Sequence, residues 1–238
     1  MLIRQRLVPA ASPALAWLAL VGGVSAAAGG ARAQGFDVAP RPSSKTNTIF
    51  VLPQVGLWVP VSKRVQVQAY YFQLVGDQPG QLGLLNVAVK LNRYVSLTNG
   101  YFGILEPRPQ NGPHPYDSRV RLAATGTLPL GHLVLSDRNL VERRFQETGP
   151  STRYRNMLRA EDSVRLGRRR FTMYAYEEIF YDWRAAGWTL NQTALGATYP
   201  LGRRFAAEAF YIHQAVRRTA DSNVWGLAFT ARLLQPLF

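Results

Sequence analysis

Long segments of this sequence alternate between apolar and polar residues with a period of two. In the stretch VQVQ, Val65 and Val67 take one side of the chain while Gln66 and Gln68 take the other, and the stretch NVWGLAFTARL separates large apolar residues from small or polar ones in the same way. Successive side chains of a β-strand point to opposite faces, so this period is typical of strands. The sequence therefore predicts an all-β protein.

The alternating segments recur at the spacing of hairpins. Most are about ten to fourteen residues long, more than the five or six typical of soluble strands and enough for a tilted bilayer crossing. The predicted strands are Thr48–Pro60, Val65–Leu74, Gln81–Leu91, Val95–Leu105, Ser118–Thr127, His132–Gln146, Arg153–Leu166, Arg170–Tyr181, Trp188–Tyr199, Phe205–Val216 and Asn223–Leu233.

The connections between these strands alternate between tight turns and longer polar loops. Short turns on one rim and long loops on the other are typical of bacterial outer-membrane barrels. We therefore predict an antiparallel up-and-down transmembrane β-barrel of about 10–12 strands. Since such barrels have an even strand number, eleven segments require either a further short strand near Gly35–Val38 or the removal of the Thr48 segment from the wall. We favour the first reading, which gives twelve strands.

The two ends of the chain carry export signals. Arg4 and Arg6 precede an apolar run that closes on Ala-Arg-Ala, so we predict a signal peptide over residues 1–33. An N-terminal segment over residues 34–47, with room for one short strand, would then lead into a barrel over residues 48–238. The C-terminal Phe238 is typical of a signal for the barrel-assembly machinery, although Pro236 cannot donate to a β-ladder and indicates that the last strand ends earlier. These features predict localisation to the outer membrane.

The composition restricts the partners. The chain has 28 Lys and Arg against 14 Asp and Glu, and removal of residues 1–33 lowers the net charge from +14 to +11 because three arginines leave with it. An exported protein rarely meets nucleic acid, so we expect membrane lipids, anionic phospholipid or lipopolysaccharide as partners and no nucleic acid. Cys is absent, which excludes disulfides, thiolate nucleophiles and cysteine metal sites.

Charged residues on neighbouring strands share one face at period two. A charge that faces lipid at mid-bilayer costs about 2 to 4 kcal/mol, so we predict that this face lines the lumen. Glu177 falls on the opposite face, and we place it near the outer rim, where the cost is small. The predicted lumen residues are Arg119, Arg121, Arg138, Glu142, Arg144, Arg153, Arg155, Arg159, Glu161, Tyr174, Tyr176, Glu178 and Glu208.

Basic residues also gather at the tight turns, where we find no Asp or Glu beside them. Such clusters attract anionic headgroups by roughly 1 kcal/mol for each charge. We predict a basic periplasmic rim that holds inner-leaflet phospholipid or an acidic periplasmic partner; the alternative is that these are merely solvated turn charges. The rim residues are Lys63, Arg64, Arg93, Arg168, Arg169, Arg170, Arg203 and Arg204.

Five motifs occur in a recognisable order: SDRNLVERRF, TRYRNMLR, YEEIFYD, WTLNQTALGATYPLG and AAEAFYIHQ. In order and spacing they resemble the bacterial outer-membrane family known as domain of unknown function 2490. The resemblance covers about Ser118–Phe238, whereas residues 34–117 are similar only in pattern. This chain has Gln192 where the family usually has Arg, and Glu177 where it often has Asn or Asp. The resemblance implies an outer-membrane barrel with no assigned activity.

Three classes of function remain open. The first is a barrel that is mainly structural or a narrow anion-favouring conduit, depending on whether its arginines are unpaired or are neutralised by Glu142, Glu161, Glu178 and Glu208. The second is an enzyme that modifies lipid or lipopolysaccharide, but no catalytic motif accompanies His114, His132 or His213. The third is a soluble periplasmic binder of lipocalin type. We expect no enzyme activity, metal or cofactor.

Overall fold

The strands predicted from the alternation are present in the computed structural model, which describes residues 47–77, 79–105, 116–167, 169–217 and 220–233. No strand end differs from its predicted position by more than three residues. The strands are β1 Asn47–Pro60, β2 Val65–Gly76, β3 Gly80–Lys90, β4 Val95–Leu105, β5 Tyr116–Leu130, β6 Leu133–Gln146, β7 Ser151–Leu166, β8 Arg169–Asp182, β9 Gly187–Pro200, β10 Phe205–Val216 and β11 Ser222–Arg232.

The eleven described strands form one closed barrel in which sequence neighbours pair antiparallel and β1 pairs with β11. This closing pair is parallel, with Thr48 opposite Asn223 and Leu57 opposite Ala231. The predicted range of 10–12 strands is confirmed, but the preference for twelve is wrong. The even-number rule holds when every pair is antiparallel, and one parallel pair allows an odd number. Because β1 is hydrogen-bonded on both edges, it leaves no gap for a further strand in the wall.

The predicted signal peptide over residues 1–33 and the further strand near residues 35–38 lie outside the described residues. Within the described ranges, no helix is long and apolar enough to cross a membrane.

The turns after β1, β3, β5, β7 and β9 lie at one end of the barrel, which we call the tight-turn end; the other end is the loop end. The turn after β3 is held by the Asn92 side chain, whose Oδ1 accepts hydrogen bonds from the backbone N–H groups of Tyr94 and Val95 at 2.8 and 2.9 Å. Gly131 and Gly167 supply positive φ angles of 66° and 62° at the turns after β5 and β7. Because its pair with β11 is parallel, β1 begins at the loop end.

The two faces of the wall have opposite character. Large apolar side chains are exposed on the outside of every strand, for example Phe50, Tyr71, Leu85, Tyr101, Val120, Val141, Leu158, Met173, Leu195, Phe205 and Trp225. Inside, an apolar cluster extends from β1 to β4 and across the closure onto β10 and β11, with residues that include Ile49, Val51, Phe72, Leu74, Leu82, Leu84, Phe102, Ile104, Ile212 and Val224. Charged residues fill the other side. The distribution is the reverse of that in a soluble protein, where exposed apolar patches are small.

Inward-facing glycines let aromatic rings lie flat against the wall. Gly196 is the register partner of Tyr174, and Gly226 is that of Phe210. A Cβ atom at Gly196 would lie 2.2 Å from the Tyr174 ring, and one at Gly226 would lie 2.0 Å from the Phe210 ring. Each glycine therefore gives its neighbour the space to cover the adjacent strand, an arrangement that also stabilises sheets in designed proteins.

Candidate functional site

The predicted lumen residues lie on the inner faces of β5 to β8 and β10. All are buried except Glu161, whose side chain is 13% exposed. Seven buried arginines and four buried carboxylates meet inside the barrel, with Glu161 and Asp182 half-buried beside them. The period-two pattern places these residues on one face, and the strand pairing brings them within contact distance.

Glu142 lies at the centre of four arginines and is fully buried. Arg153 forms an ion pair with it and donates from Nε to Oε1 at 2.6 Å. Arg155 Nη1 lies 3.5 Å from Oε2, Arg119 Nη1 lies 3.8 Å from Oε1, and Arg121 Nε lies 3.9 Å from Oε2. One carboxylate therefore shares its charge among several guanidinium groups, and Arg121 is the most distant of them.

Glu178 is held by two arginines, one of which contacts both of its carboxylate oxygens. Arg155 donates from Nε and Nη2 to the two carboxylate oxygens at 2.8 and 2.9 Å, and Arg138 Nη2 donates to Oε1 at 2.6 Å. A fork of this geometry fits a carboxylate at two points and is stronger than a single contact. Because Arg155 also contacts Glu142, it links the two carboxylates.

Asp117 is a functional residue that the sequence analysis missed. Arg119 donates to its carboxylate at 3.0 and 2.6 Å, and Arg144 donates to the same group at 2.6 Å. The predicted strand began at Ser118, so Asp117 was assigned to the preceding loop. Its position two residues before Arg119 places it on the same face, and a strand begun two residues earlier would have included it.

Two phenylalanines support the arginines through their ring faces. Arg153 and Arg155 lie over Phe180 at 4.9 and 4.4 Å from the ring centroid, and Arg119 lies over Phe102 at 4.8 Å. A cation over a ring face gains electrostatic energy, more so when it is desolvated. Nothing in a period-two pattern shows which cation a ring will face.

Glu208 differs from the other buried carboxylates. The hypothesis that it pairs with an arginine is wrong for the described residues: the Tyr174 hydroxyl donates to it at 2.5 Å, and no arginine lies within ion-pair distance. Arg159 instead stacks on the Tyr174 ring at 3.8 Å and donates from Nε to Glu161 at 2.6 Å. Tyr174 thus connects the carboxyl of β10 to the charges of β7.

The predicted rim residues lie at the tight-turn end. Lys63, Arg64, Arg93, Arg203 and Arg204 occupy exposed turn positions, and Arg170 is half-buried near the start of β8. Arg168 and the side chain of Arg169 lie outside the described part of the chain.

The outer face carries a few polar residues that bond to one another. Glu177 was predicted to lie near the rim, but it lies within β8. Its carboxylate accepts a hydrogen bond from Asn191 at 3.0 Å. Asn156 likewise donates to Asp137 at 2.6 Å, and Tyr154 donates to Asn139 at 2.5 Å. These polar side chains on the outer face therefore have hydrogen-bond partners on neighbouring strands, which lowers the cost of placing them there.

Each of the two described histidines, His132 and His213, lies beside an acidic side chain. His132 Nδ1 lies 2.9 Å from Asp162, and His213 lies 3.1 Å from Asn223 and 3.5 Å from Asp221. No group of three metal-ligating residues occurs in the described ranges. His114 lies outside them.

The class of protein that this fold defines is a closed β-barrel with an apolar outer wall and a salt-bridged interior. The chain belongs to the family described as "Protein of unknown function (DUF2490)", whose model matches residues 55–224. The match begins far ahead of Ser118, so the family likeness extends over β2 to β4, where only a general pattern was recognised. No curated protein and no solved structure matches the chain.

Proposed function

We propose that this chain is a bacterial outer-membrane β-barrel whose lumen is closed by paired charges and whose role is mainly structural. The observation that carries the proposal is the contrast between the two faces of the wall: every strand exposes large apolar side chains outward, while seven arginines are buried inside. In a bilayer the apolar outer face would contact lipid, and the arginines would be kept away from it. This matters because a charge turned toward the bilayer centre would cost about 2 to 4 kcal/mol.

Aromatic groups at both ends of the outer face support a bilayer location. Near the loop end, Tyr181 packs edge-on against Trp183 and Trp188 at 5.7 and 5.3 Å. Near the tight-turn end, Phe171 and Tyr199 pack at 5.0 Å. Aromatic girdles at both interfaces are typical of outer-membrane barrels. A soluble lipocalin-like binder would instead need an apolar interior and a polar exterior.

The pairing inside the barrel favours a closed lumen over an anion conduit. A conduit requires cations that a passing anion can reach, whereas Glu142, Glu178 and Asp117 already engage most of the buried arginines. Toward the loop end, the buried apolar residues Ile49, Leu74, Leu82 and Ile104 also lie inside the barrel. Removal of one partner from such a network leaves a buried charge without compensation, so the network resists opening.

A lipid-modifying enzyme is less consistent with the geometry. His132 and Asp162 form a pair on the wall, but catalysis by such a pair also requires a nucleophile that the histidine can deprotonate. His213 Nδ1 lies 3.1 Å from the side-chain amide oxygen of Asn223, which is not a nucleophile.

Two measurements test the proposal. The protein should fractionate with outer membranes and migrate faster on gels before heating than after it, because a folded barrel resists detergent. In planar bilayers the purified barrel should show no steady conductance. A stable anion-selective current would favour the conduit, and a mature chain that stays soluble without detergent would refute the membrane barrel.

A further inference from the structure

A cavity of about 560 Å³ opens at the tight-turn end of the barrel. We call it the vestibule. Arg121, Arg138 and Arg159 lie deepest among its basic residues, at the edge of the charge network, and Lys90 and Arg203 lie near its mouth. Cavities of this size accommodate small molecules rather than polymers.

The vestibule is strongly cationic. Eight Lys and Arg side chains line it, and none of the described lining residues is Asp or Glu. Two of the deepest arginines are already paired: Arg138 with Glu178, and Arg159 with Glu161, which lies two residues nearer the tight-turn end on β7. With eight cationic and no acidic side chains among its described lining residues, the cavity should attract anions.

Arg121 is the least satisfied of the deep arginines. It is 5% exposed, its Nε lies 3.9 Å from Glu142, and its guanidinium group lies 5.6 Å from the centroid of the Phe102 ring. Its Nε atom and that of Arg138 are buried without a hydrogen-bond partner. A buried guanidinium without hydrogen bonds is costly, and an anion that accepts them would remove this cost.

The shape and chemistry of the walls indicate which anion fits. Guanidinium forks match the oxygens of phosphate at two points, whereas the Lys side chains at the mouth act as point charges. Gln66, Thr98 and Ser136 add polar groups for the remainder of a ligand, and Trp58 adds a ring. A small phosphate ester satisfies this combination of charge, size and polarity.

We propose that the vestibule binds a small phosphate-bearing anion, with the phosphate held by Arg121 at the inner end and by the basic residues at the mouth. The inference deepens the proposed function and rests on it in one respect: a closed lumen makes the vestibule a binding site rather than the entrance of a passage. The phosphate could belong to a free ester or to a phospholipid headgroup that enters from the membrane surface.

Calorimetry on the purified full-length barrel in non-ionic detergent tests the proposal, with inorganic phosphate and glycerol 3-phosphate as probes. Wild type should bind both saturably. Arg121→Gln should weaken binding by about 10 to 100-fold, the effect of removing charge-assisted hydrogen bonds. Lys90→Gln, at an exposed position that does not threaten folding, should weaken it by about fivefold.

Arg143→Gln is the matched control, since Arg143 is exposed on the outer face at the loop end and donates to Thr152. It removes the same charge and should leave binding unchanged. Absence of saturable binding by wild type, or an equal loss in all three variants, would overturn the proposal.

Nanodiscs of phosphatidylcholine with and without phosphatidylglycerol distinguish the two sources of phosphate. If phosphatidylglycerol blocks glycerol 3-phosphate, the headgroup occupies the same site; if it does not, a free ester is the ligand. A barrel that conducts ions but still binds phosphate would contradict only the closed lumen. A barrel that does not conduct ions and does not bind phosphate would contradict only the vestibule site.

Discussion

Arg155 and Glu178 form a two-point ion pair across β7 and β8, with Nε–Oε1 and Nη2–Oε2 distances of 2.8 and 2.9 Å. Both side chains are at most 1% exposed. They are not register partners, because Arg155 lies opposite Phe180 and Glu178 lies opposite Met157. The pair is therefore diagonal, and the Phe180 ring fills the space under the guanidinium group at 4.4 Å.

Glu178→Gln should strongly destabilise the barrel. The substitution leaves Arg138 and Arg155 without the carboxylate that both contact, and breaking a buried ion pair costs about 3 to 5 kcal/mol. The free energy of unfolding can be measured by urea titration, with the folded and unfolded forms separated on gels. Glu177→Gln is the control: Glu177 faces outward, and glutamine can still accept the hydrogen bond from Asn191. Equal losses in the two variants would show that the charge network does not stabilise the fold.

Gly196→Ala should destabilise the barrel through the Tyr174 ring. The new Cβ would lie 2.2 Å from that ring, so Tyr174 must move and its hydrogen bond to Glu208 must lengthen or break. Overpacking of this kind costs about 1 to 3 kcal/mol. The same urea titration measures the loss. Gly83→Ala provides the comparison, since a Cβ there meets no atom within 4 Å, and an equally large effect at Gly83 would argue against the steric explanation.

The parallel closure of β1 on β11 predicts the sidedness of the chain. Thr48 and Asp221 should lie on one side of the membrane and Ser62 and Leu201 on the other, because β1 begins at the loop end. The chain has no cysteine, so single-cysteine variants at these four positions carry a unique label site. An impermeant thiol reagent applied to intact cells should label one pair only. Labelling of Ser62→Cys together with Thr48→Cys would contradict the topology.

The basic rim should contribute to lipid association. Replacement of Arg168, Arg169, Arg203 and Arg204 by Gln should reduce the anionic phospholipid that co-purifies with the barrel, since each surface charge contributes roughly 1 kcal/mol. The difference should shrink at high salt, where the Debye length shortens to about 3 Å. The charge-matched comparison is between replacement of Arg203 and Arg204 alone, at the tight-turn end, and replacement of Arg143 and Arg184, which lie toward the loop end. If the two sets of variants retain equal lipid at low salt, the rim residues are only solvated turn charges.

The sequence by itself determined the strands and the faces of the wall. An extended backbone turns successive side chains to opposite sides, so the alternation around Val65 or Trp225 fixes which residues share a face without knowledge of the neighbouring strand. The tight turns are equally local, because Asn92 and Gly131 satisfy the turn geometry within a few residues. The inward position of Arg155 and Glu178 followed from this local periodicity and from the cost of placing charge in lipid.

Only the tertiary structure decided how the barrel closes and which charges meet. The parallel pair of β1 with β11 joins segments more than 170 residues apart, and its direction depends on how many strands precede the closure rather than on the pattern within either strand. The diagonal contact of Arg155 with Glu178 depends on the stagger between β7 and β8, and the missing arginine partner of Glu208 depends on the ring of Tyr174. Register and shear are properties of the whole sheet, because each strand must pair on both edges at once. For the same reason the vestibule, which eight strands build together, has no signature in any single stretch of the sequence.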